Sequence, residues 1–271
     1  MSASPKQEVM ETRLTWEGET AVLTIHNLAR RNALSDPVRE QMFEHLTELQ
    51  SNKKCRAIVL TGAGGYFCAG GDVKAQKERS DTGMTFMARR LRMGGGAAHR
   101  IVRLLVEGPK PVVTAVEGAA FGAGLSLAMA SDFTVISRTA RFAGAQILRG
   151  LCPDVGLFYL LAARSGPGRA RELLLSGREF KAEDALKFGV AHELTDAGKA
   201  LEAALKVAER FAAVPPLAFA LTKSAMTHSY HTLEACFRAE QDYQPVVGLS
   251  KDHKESVAAF LEKRKPVYTG E

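Results

Sequence analysis

Residues 14–16 and 21–27 are β-rich runs on either side of Glu17, Gly18 and Glu19, a pattern that predicts a hairpin closed by a glycine-containing turn. Ser35, Asp36 and Pro37 then give a helix-start signal, and Val38, Met42, Leu46 and Leu49 follow at helical spacing, which predicts an amphipathic helix. Residues 57–62 form a short apolar strand that ends in Gly62, Ala63, Gly64 and Gly65. The same pattern returns in residues 111–116, followed by the glycine-rich stretch 118–124. Residues 81–96 mix charges, methionines and Gly94, Gly95 and Gly96, and predict a mobile connection ahead of a helix over 97–106. After a strand at 132–137 the pattern becomes helical, over 155–164, 170–175, 182–188, 199–213, 217–227 and 256–264. Gly177 and Gly189 fit helix stops, and Pro215 with Pro216 fits a boundary between two helices. The sequence contains no repeat and no low-complexity segment.

With 271 residues, 46% of them hydrophobic, the chain can bury one large core or two unequal ones. Its apolar runs fall well short of the roughly 20 residues a membrane-spanning helix needs. Residues 1–11 lack the apolar core of a signal peptide, so a cytoplasmic protein that does not enter a membrane is expected. Cys55, Cys68, Cys152 and Cys236 lie far apart, without the pairing of a zinc site or a disulfide framework, and are expected as reduced thiols. His99, His192, His228 and His231 have no ligand partners at useful spacing, so surface or capping roles are expected and no metal. The formal charge of +6 suits an anionic partner but does not choose between a phosphorylated small molecule, a nucleic acid and solvent.

The candidate chemistry lies in two glycine-rich turns. Tyr66 to Val73 reads YFCAGGDV, where small residues let a backbone approach a ligand and leave N–H groups free to donate. Gly118 to Leu127 reads GAAFGAGLSL, a strand end that opens into a helix whose N-terminus favours negative charge. Neither is a nucleotide fingerprint: Leu127 stands where a dinucleotide site needs its third glycine, and the P-loop lysine is missing. Taken singly these glycines serve tight turns and close packing; taken together they suggest donors converging on one oxygen.

Arg31, Asn32, Ala33 and Leu34; Phe67 to Asp72; Lys110 and Pro111 through Gly124; and Gly150 through Gly156 form an ordered series. It resembles the crotonase (enoyl-CoA hydratase/isomerase) superfamily over nearly the whole chain, and residues 260–266 are similar to that family's C-terminal helix. The resemblance implies an α/β spiral of β-β-α units over residues 1–200, with a helical trimerisation region over 201–271. It further implies a homotrimer, or a homohexamer built from two trimers, and a coenzyme A thioester substrate with no separate cofactor.

By motif position, the resemblance puts an oxyanion hole at the backbone N–H groups of Ala69 and Ala123. Substrate and CoA contacts fall at Arg31, Ala33, Cys68, Gly70, Gly71, Asp72, Val73, Lys74, Gly122, Ser126, Gln146, Phe260 and Lys263. The two positions where hydratases of the superfamily carry glutamates hold Ser126 and Gln146, and neither side chain is a general base near neutral pH. Asp154 is the remaining candidate, matching an acidic position of several isomerases. One carboxylate suffices for a 1,3 proton shift in a 3-enoyl thioester, whereas an aspartate ahead of an apolar helical run also reads as an N-cap. The leading expectation is an enoyl-CoA isomerase; a hydratase, a thioester hydrolase, a CoA-thioester binder without turnover and an RNA-binding protein are the alternatives. Glu202 and Glu209, interleaved with Lys206 and Arg210, argue against the RNA reading.

Overall fold

The structure, a computed structural model, describes residues 10–72 and 96–271. Val73, Lys74 and the expected mobile connection up to residue 95 lie outside them. β1 (Glu11–Glu17) and β2 (Thr20–His26) form the expected antiparallel hairpin. β3 (Ala57–Gly62), β4 (Val112–Val116), β6 (Phe133–Ser137) and β9 (Glu193–Thr195) extend it in parallel into a six-stranded sheet of order β1-β2-β3-β4-β6-β9. A second sheet joins the short strands β5 (Ala119–Phe121), β7 (Arg141–Ala143) and β8 (Phe180–Lys181).

Because strand side chains alternate between faces, the large sheet divides its apolar residues between two cores. Leu23, Ile25, Ile58, Leu60, Val112 and Ile136 face the core that includes Met42 and Leu46 of α1 (Asp36–Ser51) and Ile101 and Leu105 of α2 (Gly96–Glu107). The smaller Val22, Ala57, Val59, Val113, Ala115 and Val135 face Ala200, Ala204, Val207 and Ala208 of α6 (Ala200–Ala212). α6 therefore starts at the expected boundary near residue 200 yet packs on the sheet.

Between these layers run α3 (Ala123–Met129), α4 (Leu157–Ser176) and α5 (Ala182–Lys187). The two helices expected over 155–175 form one run with a kink, where Gly166 leaves helical geometry and Pro167 cannot donate to the turn before it. Beyond Pro215 come α7 (Pro216–His228), α8 (Leu233–Gly248) and α9 (Lys251–Glu262). α7 is tied to the core by buried Lys223, whose ammonium donates to Leu105 O (2.8 Å), Lys110 O (3.0 Å) and Asp132 Oδ2 (2.8 Å). Among the described residues, no helix is long and apolar enough to cross a membrane.

Candidate active site

The two glycine-rich turns lie against each other. Cys68 N donates to Ala119 O (2.9 Å) and Phe121 N donates to Cys68 O (3.0 Å), while Leu34 N holds the far side of the first turn at Gly70 O (2.8 Å). The approach leaves no room for side chains: a Cβ on Gly124 would lie 2.2 Å from Cys68 O, and one on Gly70 would lie 2.7 Å from Phe121 O. Gly70 (φ 97°) and Gly122 (φ 53°) also take left-handed backbone that glycine adopts without steric cost.

The donors left over differ from the motif-based expectation at one position. Ala69 N is donated to Arg31 O at 3.0 Å, so Ala69 is not free to hold an oxyanion, and Gly70 N rests on Cys68 Sγ at 3.4 Å. Gly71 N has no acceptor among the described residues. Ala123 N is likewise free, as the first residue of α3, where the helix itself supplies no acceptor. The Gly70 Cβ position is 3.7 Å from Ala123 N, which puts the two turns' free donors in one neighbourhood.

Several expected contact residues are taken up by the scaffold. Asp72 is buried and ion-paired with Arg30, the neighbour of the expected Arg31. Arg31 itself is turned outward by its left-handed backbone (φ 50°), with its guanidinium 6.0 Å from the Tyr66 ring centre. Ala33 is buried, and its carbonyl accepts from Asn27 Nδ2. Cys68 is buried, and burial pushes its thiol up to about 12, so it is no nucleophile. Glu117 accepts from Ala200 N (3.1 Å) and Thr139 Oγ1 (3.3 Å), and caps α6 rather than entering the site.

Ser126, Gln146 and Asp154 come together. Ser126 is fully buried on α3, and its hydroxyl donates to the main-chain carbonyl of Asp154 at 3.3 Å. Gln146 lies beside the second turn, its amide 3.3–3.5 Å from where a Gly122 Cβ would stand. Its Nε2 donates to Asp154 Oδ1 at 3.3 Å, while its Oε1 is buried without a partner among the described residues. Asp154 is exposed and is not the helix cap: Gly156 holds that position, with no side-chain cap bond. Between them Val155, buried and β-branched, sits at φ 55°, a conformation costing on the order of 1–3 kcal/mol. The resemblance to the superfamily points to Asp154, but not to the contacts that Ser126 and Gln146 make with it.

Phe260 is 83% exposed, so it is no buried anchor, and Lys263 follows on the surface at the left-handed end of α9.

The family model described as enoyl-CoA hydratase/isomerase matches residues 16–271. The chain is 35% identical to the 1,2-epoxyphenylacetyl-CoA isomerase of Escherichia coli (strain K12), over 92% of this chain and 94% of that one. It is 29% identical to a short-chain-enoyl-CoA hydratase of Clostridium acetobutylicum, over 95% and 97%. Among solved structures, an enoyl-CoA hydratase from Polaromonas sp. JS666 superposes with a TM-score of 0.89 at 34% identity, covering 95% of this chain and 99% of that one. An enoyl-CoA hydratase from Mycobacterium tuberculosis H37Rv gives 0.86 at 30%, covering 97% and 100%. The α/β fold is thus the crotonase type expected from the motifs.

Proposed function

Because this chain belongs to the enoyl-CoA hydratase/isomerase family, we propose that it is an enoyl-CoA double-bond isomerase whose single base is Asp154. The observation that carries this reading is the composition of one cluster. Of Ser126, Gln146 and Asp154, only Asp154 bears a carboxylate, and the other two side chains are its hydrogen-bond partners. A hydratase in this family needs two carboxylates to hold and activate water; an amide and a buried hydroxyl supply neither. The similarity to a 1,2-epoxyphenylacetyl-CoA isomerase supports the same side of the family.

In the proposed reaction the thioester oxygen of a 3-enoyl-CoA accepts from Gly71 N and Ala123 N. Asp154 removes a C2 proton, and the electron pair spreads through the alkene with its charge on the thioester oxygen. The two fixed donors stabilise that charge, each by about 3 kcal/mol. Asp154 then returns the proton at C4, leaving the double bond at C2–C3. Arg31, Lys74, Phe260 and Lys263 belong to the reading as contacts for the phosphates and adenine of coenzyme A. A homotrimer or homohexamer belongs to it too, supported by exposed Leu233, Leu249 and Leu261 on the C-terminal helices.

Proton NMR of a 3-enoyl-CoA incubated with the native protein and with Asp154→Asn tests the assignment. The native protein is expected to move the double bond, and the variant to be slower by at least about 100-fold. Equal rates would remove Asp154 from the chemistry, and a native protein that binds the thioester without moving the bond would remove the isomerase reading.

A further inference from the structure

We infer that Ser126 and Gln146 are positioning residues, which together hold Asp154 and keep its transferred proton in a protein hydrogen bond between the two carbon centres. The inference rests on the isomerase reading and goes beyond it: that reading needs only a base, whereas the structure shows how the base is held. Ser126 Oγ grips the Asp154 main-chain carbonyl at 3.3 Å, and Gln146 Nε2 grips Oδ1 of its side chain at 3.3 Å. Asp154 is thus contacted at both ends, from α3 on one side and from the start of the 147–149 turn on the other.

The amide has a property that a glutamate at the same position would lack. Gln146 Oε1 is buried and finds no partner among the described residues, so against them the inner end of the amide is unsatisfied whichever atom occupies it. Turning the amide over exchanges an orphaned acceptor for an orphaned donor, at comparable cost. The end facing Asp154 therefore decides the orientation. Against the ionised carboxylate, Nε2 donates. Once Asp154 has taken the C2 proton, the same amide turned over presents Oε1, which accepts the new O–H. The proton remains in a protein hydrogen bond while the dienolate waits. No bond beyond those of the 1,3 shift forms or breaks: C2–H breaks, C4–H forms, and Asp154 ends ionised as it began.

Retention of label reads this directly. A 3-enoyl-CoA carrying deuterium at both C2 hydrogens is turned over in ordinary water, and the 2-enoyl product is scored by mass spectrometry and NMR for deuterium at C4. The native protein is expected to carry most of its label to C4. Gln146→Leu and Gln146→Met, neither of which can donate to a carboxylate or accept from the protonated acid, are expected to lower that retained fraction several-fold and kcat about tenfold, with KM within about twofold. Ser126→Ala lowers kcat in the same direction by less, because the main-chain grip is shared with the turn itself. A thermal midpoint measured on each variant separates these losses from misfolding. If the native protein moves the double bond and both Gln146 variants match its rate and its label retention, the positioning role is wrong while the isomerase reading stands. If the native protein does not move the bond at all, the isomerase reading falls and this inference falls with it.

Discussion

Asp132 and Asp154 are aspartates under opposite obligations. Asp132 is half-buried: Oδ2 accepts from Val112 N at 2.8 Å and from the Lys223 ammonium at 2.8 Å, with Arg164 close by. Burial pushes the Asp132 carboxyl up and the Lys223 ammonium down, and each group opposes the other's shift. Asp154 is exposed and receives one longer side-chain bond from a neutral amide, beside a strained Val155 and a Gln146 Oε1 that has no partner among the described residues. A carboxylate whose hydrogen bonds are short and to a cation is committed to holding the fold together. One held lightly by neutral groups, at a spot where the chain tolerates strain, is left available for chemistry.

The sharpest break between the two is kinetic. Asp154→Asn should lower kcat for double-bond migration by roughly 10²–10⁴ while leaving the urea midpoint of unfolding where it was. The reverse pattern would mean that the lightly held carboxylate is structural after all. Next in size is Lys223→Met, which removes the buried ammonium that compensates Asp132 and leaves Leu105 O and Lys110 O without their donor. Urea denaturation should show a loss of about 3–5 kcal/mol, with kcat per folded molecule preserved. Glu117→Ala tests the other acidic side chain of the strand ends, the one that accepts from Ala200 N. Losing that cap should cost about 1 kcal/mol in the same assay, with no kinetic change.

A further effect is on pH. Burial, then the Arg164 guanidinium, pushes His192 down to about 4. As the pH falls below the ordinary histidine range the unfolded chain takes up this proton before the native chain does, so stability declines until about pH 4. The thermal midpoint should therefore drop between pH 7 and pH 5, and drop less in His192→Gln.

Sequence pattern reveals the long periodic elements and the carboxylate, and it misses what depends on neighbours. Val38, Met42, Leu46 and Leu49 announce α1 because one face of it is buried. α8 escapes notice because only Ala239 is buried and Pro245 interrupts the pattern. β5, β7 and β8 are too short to display alternation. Glycines mark both turns, yet motif position selects Ala69, whereas tracing each N–H to its acceptor leaves Gly71. The distinction between Arg30 and Arg31 is similarly invisible in a string of letters: the left-handed backbone at Arg31 points one outward and leaves the other on Asp72.

Lys223 also bears on how distant parts of the chain are joined. Its bond to Leu105 O closes a loop of 118 residues, and its other two bonds reach Lys110 and Asp132. These carbonyls and the carboxylate are brought together only by α2, β4 and β6, so α7 docks on a surface that those three elements build.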